Sequence, residues 1–225
     1  PRELCVSCTK VGEKIYKDLG VRLIKYGENL TEENYLEAKE IVERVNVNKI
    51  REYLYENIPV GEHAYAGALR FYARGDIDNE IMSQNMLQTY FMASLLSMFM
   101  MKNLLKREKY EVCFLNHGIY VPQGILAEVC RSMGVRVVTW NPAYRKSCFI
   151  LSHDTTYHHT LMNEDVSSWQ NMNWNENLER GLMEYLKSRM TGSNDWIWFH
   201  DKPEFDIKEI EDELQIDLNK PTTGL

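Results

Sequence analysis

The stretch Glu111–Trp140, EVCFLNHGIYVPQGILAEVCRSMGVRVVTW, decides the fold. Glu111–Leu115 is an apolar run of strand length. Val135–Trp140 is a second, rich in β-branched residues and bounded by Gly134 and Asn141-Pro142. Between them Asn116–Val121 reads as a loop, Pro122 opens a helix that runs to Met133, and Gly134 is its C-cap. Strand, helix and strand in so short a span predict a βαβ unit, which implies parallel strands and a right-handed crossover.

Downstream, Phe149–Leu151 is a third strand candidate. The eight residues that separate it from Trp140 are fewer than the roughly dozen a parallel crossover needs. It therefore runs antiparallel to its predecessor or lies elsewhere. A helix over Asn177–Arg189, a turn at Gly192-Ser193-Asn194, the aromatic run Trp196-Ile197-Trp198-Phe199 and an acidic helix over Ile207–Leu214 follow. Upstream, Val21–Tyr26 reads as a strand. The residues 31–107 are rich in helix: one headed by Thr31 as N-cap, one over Val47–Asn57, one over Glu62–Arg74 closed by Gly75-Asp76, and one over Ile81–Lys106. The last is apolar on nearly all sides and is expected in the middle of the structure. The fold class expected is α/β, a Rossmann-like domain with a short central parallel sheet, a βαβ core over 111–140 and a large helical portion.

Composition narrows the function classes. With 44% hydrophobic and 26% charged residues the chain is globular rather than disordered. A formal net charge of −7 favours solubility and weighs against a nucleic-acid backbone as partner. The segment Met86–Leu105 is apolar enough to raise the question of a membrane. Gln88, Thr89, Ser94, Ser97, Lys102 and Asn103 interrupt it, so a buried core helix is expected and no transmembrane segment. Cys113 and Cys130 sit inside apolar patterns as small buried thiols, and Cys5-Val6-Ser7-Cys8 is a lone C-x-x-C with no second pair to complete a zinc site. Unpaired thiols and the lack of a secretory signal suit a reducing, cytoplasmic setting. The chain starts at Pro1, and Pro221–Leu225 reads as the opening of a strand. The expected organisation is one domain over 1–217, with 218–225 as a linker into a further domain.

Three polar clusters carry the candidate chemistry. In open α/β sheets ligands bind beyond the carboxyl ends of the parallel strands. That rule selects Asn116, His117, Gly118, Tyr120 and Gln123 after the first strand, and Asn141, Tyr144 and Arg145 after the second, as substrate-binding candidates. Gly118 permits close backbone approach, and the helix start offers amides to an anion. The third cluster, Ser152–Thr160, holds three of the six histidines within seven residues, beside Asp154. An imidazole titrating near neutrality, or a carboxylate tuned upward, can take a proton from a hydroxyl, so His117, Asp154, His158 and His159 are the catalytic candidates. The histidine spacings match no metal motif, and no metal ligand is assigned. Trp169, Trp174, Trp196 and Trp198 are read as core or interface residues rather than a sugar-stacking platform.

The runs His117–Gly124, Val138–Arg145 and Ser152–Thr160 together resemble bacterial capsule-polysaccharide-type glycosyltransferases of the two-domain, GT-B-like architecture. The similarity extends from about Gly12 to Leu225 and is densest from Val112 to Trp174. The resemblance implies an N-terminal, acceptor-recognising half. Its carbohydrate acceptor would face a C-terminal half that holds a nucleotide-sugar donor, and Leu218–Leu225 looks like the linker and first strand of that half. It implies no cofactor in the present chain, and with the nucleotide-sugar half absent this half alone is expected to be inactive. The resemblance assigns no catalytic residue. In an inverting reaction one of the four candidates would deprotonate the acceptor; in a retaining one they would only bind. Two other readings stay open: a non-catalytic carbohydrate- or partner-binding module using the same edge, and a metal-dependent hydrolase centred on the His-rich loop.

Overall fold

A computed structural model describes residues 2–143, 147–156, 158–159, 165–191 and 206–221. In chain order these form α1 (Arg2–Asp18), α2 (Glu32–Arg44), α3 (Val60–Tyr72), α4 (Ser83–Arg107), β1 (Val112–Asn116), α5 (Gln123–Ser132), β2 (Arg136–Pro142), β3 (Phe149–His153), α6 (Ser167–Gln170), α7 (Glu176–Thr191) and α8 (Ile207–Leu214). The chain is mixed α/β and mostly helical, with a three-stranded sheet in the order β1-β2-β3. It divides into two compact units: Pro1–Asn141 with Leu151–Asn163, and Pro142–Ile150 with Glu164–Leu225.

The sequence between the two halves of the βαβ unit folds as its pattern predicts. β1 and β2 pair in parallel, Val112 opposite Arg136 through Asn116 opposite Trp140. α5 ends on Gly134 at φ +76°, where the Val135 amide reaches back to the Cys130 carbonyl and the Gly134 amide to the Arg131 carbonyl. Only a left-handed residue lets both bonds form, which is why glycine stands there. β3 is antiparallel to β2. The Ala143 amide bonds the Cys148 carbonyl at one end and the Asp154 amide bonds the Val137 carbonyl at the other. The sheet is therefore mixed rather than purely parallel, because the short connection after β2 leaves no room for a crossover.

α4 lies at the centre of the first unit. It packs against α3, α5 and α2, and its Phe91, Leu95 and Met98 are fully buried. Each such side chain contributes about 1.5–3 kcal/mol through removal from water. Its polar residues are placed to satisfy themselves: the Ser94 hydroxyl donates to the Val60 carbonyl, and Asn103 donates to the Asn29 carbonyl and to the Asn34 side chain. No helix among the described residues is long and apolar enough to cross a membrane. Cys113 on β1 and Cys130 on α5 are free thiols, half-buried and buried.

Three local expectations fail, each for a backbone reason. Val21–Tyr26 is not a strand. Val21 completes the C-terminal cap of α1 by donating to Tyr16, and a short 3-10 turn, Tyr26–Asn29, follows. Val47–Asn57 is not an α-helix beyond a 3-10 turn at Val47–Lys49. Its amides and carbonyls are used elsewhere: Tyr55 and Ile58 bond each other across a tight turn in which Glu56 and Asn57 both have positive φ, and the Tyr53 carbonyl accepts from Gly61. The periodic Ile50-Leu54-Ile58 pattern therefore does not mark a helical face, and Leu54 is 56% exposed. Third, α3 ends at Ala73 in the left-handed region rather than at Gly75. The strand expected to open at Thr222 lies outside the described residues.

Gly61 shows how tightly α3 seats on the preceding turn, since a Cβ there would stand 1.7 Å from the Ile50 carbonyl oxygen. Gly181, inside α7, has nothing within 4 Å of its Cβ position. Gly61→Ala is expected to cost about 1–3 kcal/mol or more through forced backbone movement. Gly181→Ala should stabilise α7 by about 0.5–1 kcal/mol through helix propensity. Urea unfolding of the two variants measures both; a neutral Gly61→Ala would show that this contact is not close-packed.

Candidate functional site

The loop after β1 is held from three sides. The His117 amide extends the parallel ladder by donating to the Trp140 carbonyl, which also accepts from the Asn116 side chain at 3.2 Å. His117 and Gly118 then both adopt positive φ, +58° and +73°. Gly118 has to be glycine, because a Cβ would come within 2.6 Å of the Thr139 methyl on β2. Beyond the turn, the buried His63 of α3 donates from Nδ1 to the Ile119 carbonyl at 2.8 Å. Gly124 allows this, since a Cβ there would meet the His63 ring at 2.2 Å. The other ring nitrogen of His63 faces Glu128 at 3.8 Å, and Glu128 pairs with Arg131 at 2.6 Å. His63 first and Arg131 second hold the Glu128 carboxyl below the usual carboxylate range against the opposing effect of burial.

The loop, α3 and α4 enclose a cleft of about 270 Å³ at the carboxyl end of β1, lined among others by Arg70, Tyr90, Asn116, His117, Tyr120 and Gln123. Small-molecule sites start at roughly 300 Å³, so this one suits a ligand of about one ring. The Arg70 guanidinium lies over the Tyr120 ring, 4.5 Å from its centre, and the His117 ring meets Tyr120 edge-on at 6.1 Å. Arg70 and Tyr120 also line an adjoining cleft of about 430 Å³ with Arg74. Gly67, one turn before Arg70, leaves room for Tyr90, whose ring would be 2.5 Å from any Cβ. Thus His63, Gly67 and Arg70, at i, i+4 and i+7 on one face of α3, all serve this cleft.

His117 is held below its ordinary pKa, first by burial, then by the positive charge of Arg70 and then by that of His158. A neutral imidazole at near-neutral pH can accept a proton. The influence of His158 also locates the His-rich segment. Asp154 pairs with Val137 at the amino end of β2, and the chain then doubles back along the strand. The Thr139 hydroxyl bonds the Thr155 carbonyl at 2.8 Å, and the Thr156 methyl approaches Gly118. His158 thereby comes into electrostatic reach of His117, although it follows a strand that runs the other way.

Of the residues singled out from sequence, Asn116, His117, Tyr120 and Gln123 line the cleft, and Gly118 shapes it. Asp154 does not join them. Its carboxylate accepts from the Val137 amide at 3.1 Å while its own amide donates to the Val137 carbonyl, so it terminates the β2–β3 pairing. His159 is exposed and its Nδ1 meets the Thr155 hydroxyl at 3.1 Å, a local turn contact. Asn141 is buried on β2, one residue beyond Trp140, and among the described residues its amide nitrogen has no partner. Tyr144 and Arg145 lie outside the described residues, as do Trp196 and Trp198; Trp174 is 54% exposed and is not core. Among the described residues no three His, Cys, Asp or Glu side chains converge on a possible metal position.

Sequence reading missed Arg70, Tyr90 and His63, which lie in helices whose apolar periodicity drew attention to packing. The nearest signal was the presence of one histidine and two glycines in α3, unusual in a helix interior. A larger cleft of about 500 Å³, lined by Arg51, Tyr65, Asp78 and Gln84 among others, combines a base with an acid and no histidine, and lies away from the strand ends. The smaller cleft is therefore the better candidate.

The folded state disfavours protonation of His117, so its contribution to stability is full above the unfolded-state pKa, about 6.5, and declines as pH falls below it. Its imidazole carbon protons, followed by NMR, should titrate with a midpoint below 6.5. Arg70→Gln should raise that midpoint. A midpoint at or above 6.5 in the unaltered chain would contradict the placement of His117 beside Arg70.

Compared with known proteins, the chain matches no protein-family model, no curated protein and no solved structure.

Proposed function

We propose that the chain is the acceptor-binding, Rossmann-like half of a sugar-nucleotide-dependent glycosyltransferase that acts in polysaccharide synthesis. The observation that carries this reading is the cleft at the carboxyl end of β1, where a histidine with a depressed pKa stands among an amide, a phenol and a guanidinium. Asn116, Tyr120 and Gln123 line the cleft with donors and acceptors for the hydroxyls of a sugar ring. The motif resemblance across His117–Gly124 and Ser152–Thr160 points the same way.

In this reading His117 is the base. The acceptor hydroxyl gives its proton to the imidazole as its oxygen bonds the anomeric carbon of the donor, and the bond from that carbon to the nucleoside diphosphate breaks. The second half of the enzyme holds the donor and takes up the leaving group's charge. Asp154 and His159 take no part in this step. His158 lowers the His117 pKa electrostatically, after burial and Arg70.

Two measurements test this. Calorimetry of the chain with oligosaccharides should show saturable binding, weakened by Tyr120→Ala at least tenfold, or about 1.4 kcal/mol. In the enzyme that carries the nucleotide-sugar half, His117→Gln should lower kcat by roughly 10²–10⁴, the usual contribution of a general base, with little change in acceptor KM. Failure of every oligosaccharide to bind would overturn the acceptor reading. An unchanged kcat in His117→Gln would overturn the base.

A further inference from the structure

We infer that the cleft selects an acceptor bearing an anionic group, a carboxylate or a phosphate, which seats on the Arg70 guanidinium where it overhangs Tyr120. This rests on the reading of the cleft as an acceptor site and adds the chemical class of the acceptor.

The protein as a whole is acidic, with a formal net charge of −7. Yet neither the 270 Å³ cleft nor its 430 Å³ neighbour has an aspartate or glutamate in its described lining. Both share Arg70. Several other arginines of the first unit are neutralised, Arg22 by Glu108, Arg131 by Glu128, and Arg74, one turn beyond Arg70, by Glu80 at 3.0 Å, whereas Arg44, Arg51 and Arg136, like Arg70, have no ion pair among the described residues. Arg70 forms no ion pair among the described residues, and its described ring contact is with Tyr120. A guanidinium over an aromatic face is attracted by the ring, and its planar N–H groups form a fork. That fork matches a carboxylate or a phosphate and fits a lone hydroxyl poorly.

The neighbouring groups agree with an anion. Asn116 and Gln123 carry amide donors, Tyr120 a phenolic one, and His117 a ring nitrogen; none of them carries a negative charge. By contrast, the 500 Å³ cleft at Arg51 has Asp78 in its wall, so an anion there would meet a like charge. The shared position of Arg70 between two clefts gives the geometry of the complex: the anionic residue sits at Arg70, with the next sugar of a chain extending to either side.

The test is calorimetry on the full chain with three probes: a glucuronate-terminated disaccharide, its neutral glucose-terminated counterpart, and inorganic phosphate. The acidic disaccharide should bind roughly 10- to 100-fold more tightly than the neutral one, the range that a charge-assisted hydrogen bond supplies. Added salt should erode this preference, and Arg70→Gln should abolish it. Arg70→Lys, which keeps the charge but loses the fork, should retain part of it. If Arg70→Gln fails to fold, Arg70→Lys and the salt dependence of the unaltered chain still decide the question. Phosphate that binds more tightly than the uronate, and competes with it, would support the inference and identify the group as a phosphate. Phosphate binding with no binding of either sugar would support the anion site while overturning the acceptor reading. Equal affinity for the acidic and neutral disaccharides, or a preference for the neutral one, would overturn the inference and leave the acceptor reading standing.

Discussion

The hydrogen bond from His63 Nδ1 to the Ile119 carbonyl joins residues 56 apart in sequence, and the site's geometry depends on it. It fixes the loop after β1 to the face of α3 that also carries Gly67 and Arg70. Glycine at position 124 lets α5 begin close enough for the bond to form, and Glu128, two-sided between His63 and Arg131, keeps the imidazole oriented. Arg131 continues outward to the Asp154 carbonyl at 3.5 Å. A polar chain thus runs from α3 through α5 to the end of β3, at the edge of an otherwise apolar core. Buried polar groups of this kind are stabilising only when every member is satisfied, so their mutual geometry is stringent.

That stringency matters for the cleft because its other supports are steric. Gly118 against Thr139 and Gly67 against Tyr90 are approaches closer than any side chain would allow. A loop held by the Gly118–Thr139 contact, by the ladder bond to Trp140 and by one buried hydrogen bond has little freedom to rearrange, and Gly67 against Tyr90 fixes α3 to α4. Arg70 and His117 are thereby kept at separations that let one charge act on the other. The same fixed relation supports an anionic ligand. An anion paired with Arg70 would relieve the part of the His117 pKa depression that comes from Arg70, while the larger part, from burial, would remain.

Much of the fold was legible in local pattern. Thr31 before Glu32-Glu33 marks α2, and its hydroxyl does accept from the Asn34 amide. Gly134 marks the end of α5, and the β-branched run Val135–Thr139 marks β2. These signals are local: a cap, a left-handed residue, a pleated apolar run. The failures were also local in form but not in cause. Ile50-Leu54-Ile58 has helical spacing, yet Glu56 and Asn57 turn the chain and Gly61 takes the Tyr53 carbonyl. Val21–Tyr26 has strand composition but, among the described residues, no neighbouring strand to pair with.

For the site, the sequence by itself determined which residues follow β1, because a βαβ unit places Asn116, His117, Tyr120 and Gln123 at a strand's carboxyl end wherever the unit sits. It also determined that Gly118 would permit a close approach, whereas the need for Gly124 against the His63 ring came from the tertiary structure. Only the tertiary structure decided that Arg70, Tyr90 and His63 stand opposite that loop, and that Asp154 closes a strand pairing while His158 comes within electrostatic range of His117. The reason is physical. Backbone periodicity and turn chemistry act over a few residues and can be read from neighbours in the chain. The pairing of a cation with a ring, or of an imidazole with a distant carbonyl, depends on how whole helices pack.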